Sequence, residues 1–103
     1  MSEFQQVAEL SDFGGADRIS VFFDDRSVVV VRVENALYAV EDVCSHDGQP
    51  LTDGVVENCS IECPRHGARF DLATGRPLCM PAVESIRVYS AKIEGTQVLL
   101  KAP

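Results

Sequence analysis

Two β-branched and aromatic runs, Ile19 to Phe23 and Ser27 to Val33, stand on either side of the turn-forming Asp24-Asp25-Arg26. Branched and aromatic side chains suit a pleated, half-buried surface, so the pair predicts a β-hairpin. The unbroken Val28-Val29-Val30-Val31 offers no polar face and predicts a strand covered on both sides. Glu34-Asn35 marks a second turn, leading into a strand over Ala36-Leu37-Tyr38-Ala39-Val40. From Glu41 to Pro81 short apolar pieces (Val55-Val56, Ser60-Ile61-Glu62, Arg69-Phe70) alternate with segments rich in Gly, Pro, Asp and Asn, the pattern of an insertion dominated by loops. Strand composition resumes over Ser85 to Ile93. There Ile86 and Val88 share one face and Tyr89, Ala91 and Ile93 the other, which a bulge would reconcile. Glu94-Gly95 is a turn before a last strand, Gln97 to Lys101.

No helix-length amphipathic pattern, repeat or low-complexity stretch interrupts this. The fold class is all-β, an antiparallel β-sandwich or partial barrel, with the middle third as a loop-built subdomain. At 103 residues the chain fits one domain, with that subdomain over about 41–82 and a basal β subdomain over 1–40 and 83–103.

Charge narrows the partners. Nine Lys and Arg against sixteen Asp and Glu give a net charge of -7, which disfavours nucleic acid and anionic membrane and favours a partner with a positive docking patch. Met1 to Gln6 lacks the features of a secretory signal, and Val28 to Val31 is too short to cross a bilayer, so a cytoplasmic location is expected. In that reducing compartment four cysteines point to metal ligation or burial before disulfides.

Both histidines of the chain sit close behind a cysteine, as Cys44-Ser45-His46 and Cys63-Pro64-Arg65-His66. Two thiolates and two imidazoles suit zinc or an iron-sulfur cluster. A zinc finger usually presents a Cys pair and then a His pair. Here the order is Cys, His, Cys, His, so each short loop offers one sulfur and one nitrogen, and the two loops can approach a cluster from two sides. Structural zinc in the same four ligands stays open as the alternative, as does the plain reading of two buried cysteines beside two surface histidines.

The pattern resembles the Rieske family, with Cys-x-His, a spacer of sixteen residues, then Cys-x-x-His. The resemblance extends over Cys44-Ser45-His46-Asp47-Gly48, Leu51-Thr52-Asp53-Gly54, the run from Ile61 to Asp71, and Thr74-Gly75. It implies a Rieske-type fold and one 2Fe-2S cluster, with Cys44 and Cys63 on the inner iron and His46 and His66 on the outer, redox-active iron. Two neutral imidazoles in place of two thiolates remove negative charge and raise the potential relative to four-cysteine clusters.

The same resemblance selects a branch. Gln49 and Arg65 stand where the respiratory-complex branch carries a disulfide clamping the loops, and Ala68 and Phe70 stand where that branch places hydroxyl donors. With fewer donors the potential is expected near the low end of the Rieske range, about -150 mV. Gly48, Gly54, Gly67 and Gly75 are expected where loops turn tightly, and Pro77, Met80 and Pro81 in a third, covering loop. The implied role is a ferredoxin that takes one electron from a flavin-dependent reductase and passes it, as a monomer, to a terminal oxygenase, with aromatic-ring-hydroxylating oxygenases the candidate class. The alternatives are the small subunit of an assimilatory nitrite reductase and a zinc-stabilised interaction module.

The remaining features read plainly. With both histidines assigned as ligands, no nucleophile has a paired base, and the two-histidine, one-carboxylate iron site of oxygenase subunits has no histidines left to build it. The protein is expected to be an electron carrier without a catalytic site of its own. Cys59 and Cys79 fit no ligand pattern and read as small buried hydrophobes. Gly14-Gly15 reads as a turn, and Asp42, Asp53, Glu57 and Glu62 as solvated charges, with Asp47 a candidate for docking.

Overall fold

The computed structural model describes residues 3–45, 48–65, 67–80 and 84–103. In chain order the strands are β1 (Gln5–Glu9), β2 (Arg18–Phe23), β3 (Arg26–Val33), β4 (Ala36–Glu41), β5 (Val56–Glu57), β6 (Ser60–Glu62), β7 (Arg69–Asp71), β8 (Pro77–Cys79), β9 (Val88–Glu94) and β10 (Gln97–Lys101). Helix among the described residues is limited to a 3-10 turn, Leu10–Phe13, closed by Gly14 at φ +56°. Six strands form one antiparallel sheet in the order β1-β10-β9-β4-β3-β2, and the four short strands form another in the order β5-β6-β7-β8.

The valine run of β3 explains how the sheets meet. Val28 and Val30 point into a core shared with Phe13, Phe23, Ala39, Tyr89, Val98 and Leu100, with Val7 and Ala8 of β1 and Ile19 and Val21 of β2 packed against it. The two edge strands thus face one core, and the large sheet curls around it. Val29 and Val31 point the opposite way, into a second core with Val40, Leu51, Ile61, Ala68, Phe70, Leu72 and Ile86, which joins the large sheet to the small one. All four valines are fully buried, as a run without a polar face predicts. At roughly 1.5–3 kcal/mol for a fully buried aliphatic side chain, β3 is a major source of burial energy before chain entropy is subtracted.

The β2–β3 hairpin closes through Asp24 and Asp25, at φ +57° and +58°, with Phe23 paired to Arg26. Two left-handed turn residues match the twist of the flanking strands, and Asp tolerates that conformation better than most side chains. Arg26, read from the sequence as part of the turn, is already strand.

Other expectations change. No bulge interrupts β9 where it pairs with β10 over Ser90–Glu94. Both its faces are apolar because Val88 packs on the second core while Tyr89 and Ala91 pack on the first. Ser85–Arg87 precede the strand; the buried Ile86 is fixed by its N–H donating to the Gly75 carbonyl at 2.9 Å. Strands β1 and β8 were not predicted.

Candidate metal centre

Cys44 and Cys63 occupy two loops with the same hydrogen-bond pattern. In the first, the Cys44 N–H donates to the Gln49 carbonyl at 2.8 Å and the Cys44 carbonyl accepts from the Gly48 N–H at 2.7 Å. In the second, the Cys63 N–H donates to the Ala68 carbonyl at 2.6 Å and the Cys63 carbonyl accepts from the Gly67 N–H at 3.1 Å. Gly48 and Gly67 have φ +75° and +77°, the left-handed region that glycine enters without a side-chain penalty. Segments distant in sequence thus fold alike around a cysteine.

Different stems hold the two loops. The second is the connection of a hairpin, closed by Glu62 opposite Arg69 in β6 and β7, with an Arg69–Glu62 ion pair at 3.4 Å. Among the described residues the first has no strand pair beneath it. Asp42 closes it instead, its carboxylate accepting the Leu51 N–H at 2.6 Å and the Thr52 hydroxyl. Arg18 of β2 then ties this stem to the large sheet, donating to the carbonyls of Thr52, at 2.7 Å, and Gly54. The stems also touch: the Glu62 N–H donates to the Val55 carbonyl at 2.9 Å, and a Cβ on Gly54 would lie 1.8 Å from the Glu62 oxygen. Glycine at 54 is required by this backbone contact.

Both thiols end in the second core, with Cys44 1% and Cys63 0% exposed among Leu51, Ile61, Ala68, Phe70 and Leu72. Two ionised thiolates in that apolar setting carry a large desolvation penalty unless bound cations offset it. Soft sulfur donors in two matching loops fit iron in this way. His46 and His66 lie outside the described residues, as do Asp47 and Pro81.

A third segment borders the loops. The Cys79 thiol lies 3.4 Å from the Gly67 carbonyl, and the Ser45 hydroxyl donates to the Glu84 carbonyl at 2.6 Å. Leu78 and Met80 of this segment are 54% and 74% exposed. Pro77 begins β8 and is half-buried.

Several site expectations need correction. Cys79 is exposed, because β8 is the outer strand of the small sheet. Cys59 is half-buried in a tight turn at φ +57°, where its hydrogen bond with Tyr38 pushes the tyrosine hydroxyl up from its ordinary pKa. Asp42 is a loop clamp, and Glu62 is paired with Arg69. Asp42, Arg18 and Ser45 were missed as supports. An Asp directly after a strand and shortly before a cysteine loop is a detectable signal for the first. The bonds made by Arg18 and Ser45 leave no local trace.

The Rieske [2Fe-2S] domain family matches residues 3–90. The ferredoxin component of the naphthalene 1,2-dioxygenase/salicylate 5-hydroxylase systems of Ralstonia sp is 37% identical over 95 residues, covering 92% of this chain and 91% of the relative. The ferredoxin of carbazole 1,9a-dioxygenase from Nocardioides aromaticivorans IC177 superposes with a TM-score of 0.87 at 35% identity, covering 97% of each chain. A ferredoxin-oxygenase complex of carbazole 1,9a-dioxygenase contains a chain matching with a TM-score of 0.83 at 28% identity, over 94% of this chain and 91% of that one.

Proposed function

The chain belongs to the Rieske [2Fe-2S] domain family, and from that premise we propose that Cys44, His46, Cys63 and His66 hold its one 2Fe-2S cluster. The protein is a ferredoxin component of a dioxygenase system, an electron carrier and not a catalytic subunit. Family membership sets aside structural zinc, and ferredoxin relatives at 35–37% identity favour the ferredoxin over the nitrite reductase small subunit, whose fold matches at 16% identity. When bound, the cluster supplies reversible one-electron transfer.

The observation that carries the ligand assignment is the shared hydrogen-bond pattern at Cys44 and Cys63, with both thiols buried in one core. On this reading the cysteines form the inward half of the site. His46 and His66, two and three residues further on, complete the ligand set.

The donor is a flavin-dependent reductase and the acceptor a terminal oxygenase, with aromatic-ring-hydroxylating oxygenases the candidate class. Leu78 and Met80 offer either partner an apolar contact beside the loops, and the net charge of -7 favours a basic docking face. The carrier works as a cytoplasmic monomer, a single domain whose cluster-binding part spans about 41–82.

Its potential is low, since Ala68 and Phe70 are fully buried beside the cysteines and have no hydroxyl to stabilise the reduced state. Anaerobic purification followed by reduction with dithionite tests the assignment. An EPR signal with average g near about 1.9 is expected, lost or altered in His46→Ser and His66→Ser, with a midpoint near about -150 mV. An unchanged signal in both variants refutes the ligand set, and a midpoint above roughly +100 mV refutes the account of the potential.

A further inference from the structure

We infer that Ser45 and Cys79 are positioning residues that fasten one segment of chain to both cluster loops and thereby fix the two imidazole ligands. The inference rests on the ligand assignment above. Ser45 immediately precedes His46, and its hydroxyl donates to the Glu84 carbonyl at 2.6 Å. Gly67 immediately follows His66, and its carbonyl receives the Cys79 thiol at 3.4 Å. Cys79 ends β8 and Glu84 stands five positions further on, in the connection to β9, so the neighbour of each histidine is tied to one stretch of chain. The cysteines need no such device, because Cys44 and Cys63 are fixed by their own loop hydrogen bonds and by burial.

The two attachments differ in strength. A hydroxyl-to-carbonyl bond at 2.6 Å is short and fixes Ser45 tightly. A thiol is a weak donor, so Cys79 contributes less. Neither side chain is needed for the fold: Ser45 is half-buried, Cys79 is exposed, and neither belongs to a core. Releasing an attachment gives the adjacent histidine more positions relative to the iron, which lowers the barrier to ligand exchange.

Holoprotein variants test this by two readouts, the g values of the reduced protein and the rate of iron loss to a strong ferrous chelator. Ser45→Ala is expected to lose iron about fivefold faster, the factor that one ordinary hydrogen bond supplies, and to shift or broaden the EPR signal. Ser45→Thr keeps the hydroxyl and should restore both. Cys79→Ala is expected to act in the same direction by about twofold, with Cys79→Ser restored toward wild type. Unchanged g values and loss rates in both alanine variants overturn the inference, as does a Ser45→Thr protein as impaired as Ser45→Ala. A wild-type protein lacking the Rieske signal overturns the ligand assignment and this inference with it. A wild-type signal with unaffected variants overturns this inference alone.

Discussion

The large and small sheets are held together by different physics. Strands β1–β4, β9 and β10 run five to eight residues and close over a continuous apolar core. Strands β5–β8 run only two or three residues, too few for an isolated sheet to persist in water. The small sheet borrows its apolar face from Val29, Val31 and Val40 of the large one, and its loops are closed by Asp42, Arg18 and glycine contacts. Burial therefore accounts for the large sheet, whereas the small sheet leans on the large one and, with the proposed ligand set, its order is expected to depend also on the bound cluster. An electron carrier gains from this division, since a rigid base holds a site built mostly from loops.

The largest expected effect comes from withholding iron or replacing Cys63 with Ser. Without the cluster, amide protection at Phe70 and Leu72 should fall by more than about a hundredfold while Val28 and Val30 keep theirs. Hydrogen exchange read residue by residue checks this. Equal loss of protection in both sheets would break the comparison and make the molecule one cooperative unit.

Asp42→Ala comes next. It leaves the N–H of the fully buried Leu51 without its acceptor and releases the Thr52 hydroxyl, at an expected cost of about 1–3 kcal/mol in urea unfolding of the holoprotein. Asp42→Asn retains an acceptor oxygen and should cost less. If the alanine variant unfolds like wild type, the first loop is held by something other than this clamp.

The contrast between the sheets also explains what could be read without coordinates. Strands of the large sheet announce themselves where burial is two-sided, as in Val28 to Val31, or where a turn signal follows, as at Glu94-Gly95. β1 does not, because Gln5, Gln6 and Glu9 outnumber Val7 and Ala8 on an edge strand that is only half covered. β8 is hidden by its leading proline, which is tolerated at the first residue of an edge strand. In the cysteine lobe, ligand types and spacing are local and legible. Its supports are bonds between residues such as Arg18 and Thr52 or Ser45 and Glu84, thirty-four and thirty-nine positions apart, which no short window contains. Cys79 looked buried because cysteine usually is, and only the strand order places it at an edge.

The smallest expected effect lies inside the large sheet and should leave the cysteine lobe untouched. Tyr89 packs edge-on against Phe23, with ring centroids 5.7 Å apart, yet its buried hydroxyl has no hydrogen-bond partner among the described residues. Tyr89→Phe keeps the ring and removes the unsatisfied group, so stability at neutral pH should stay level or rise by up to about 1 kcal/mol. The sign of the pH dependence follows from burial, which pushes the Tyr89 hydroxyl above its ordinary pKa of 10.0. Below that value the group is neutral in both states and contributes no difference. Above it the unfolded chain ionises first, and wild type loses stability as pH rises. Tyr38 is shifted the same way but is present in both proteins, so its share cancels. The gap between Tyr89→Phe and wild type should therefore widen above about pH 10, with the reduced-state EPR signal at neutral pH the same in both. A gap that stays constant with pH would mean that the Tyr89 hydroxyl reaches solvent, and that the larger core is less dry than its packing indicates.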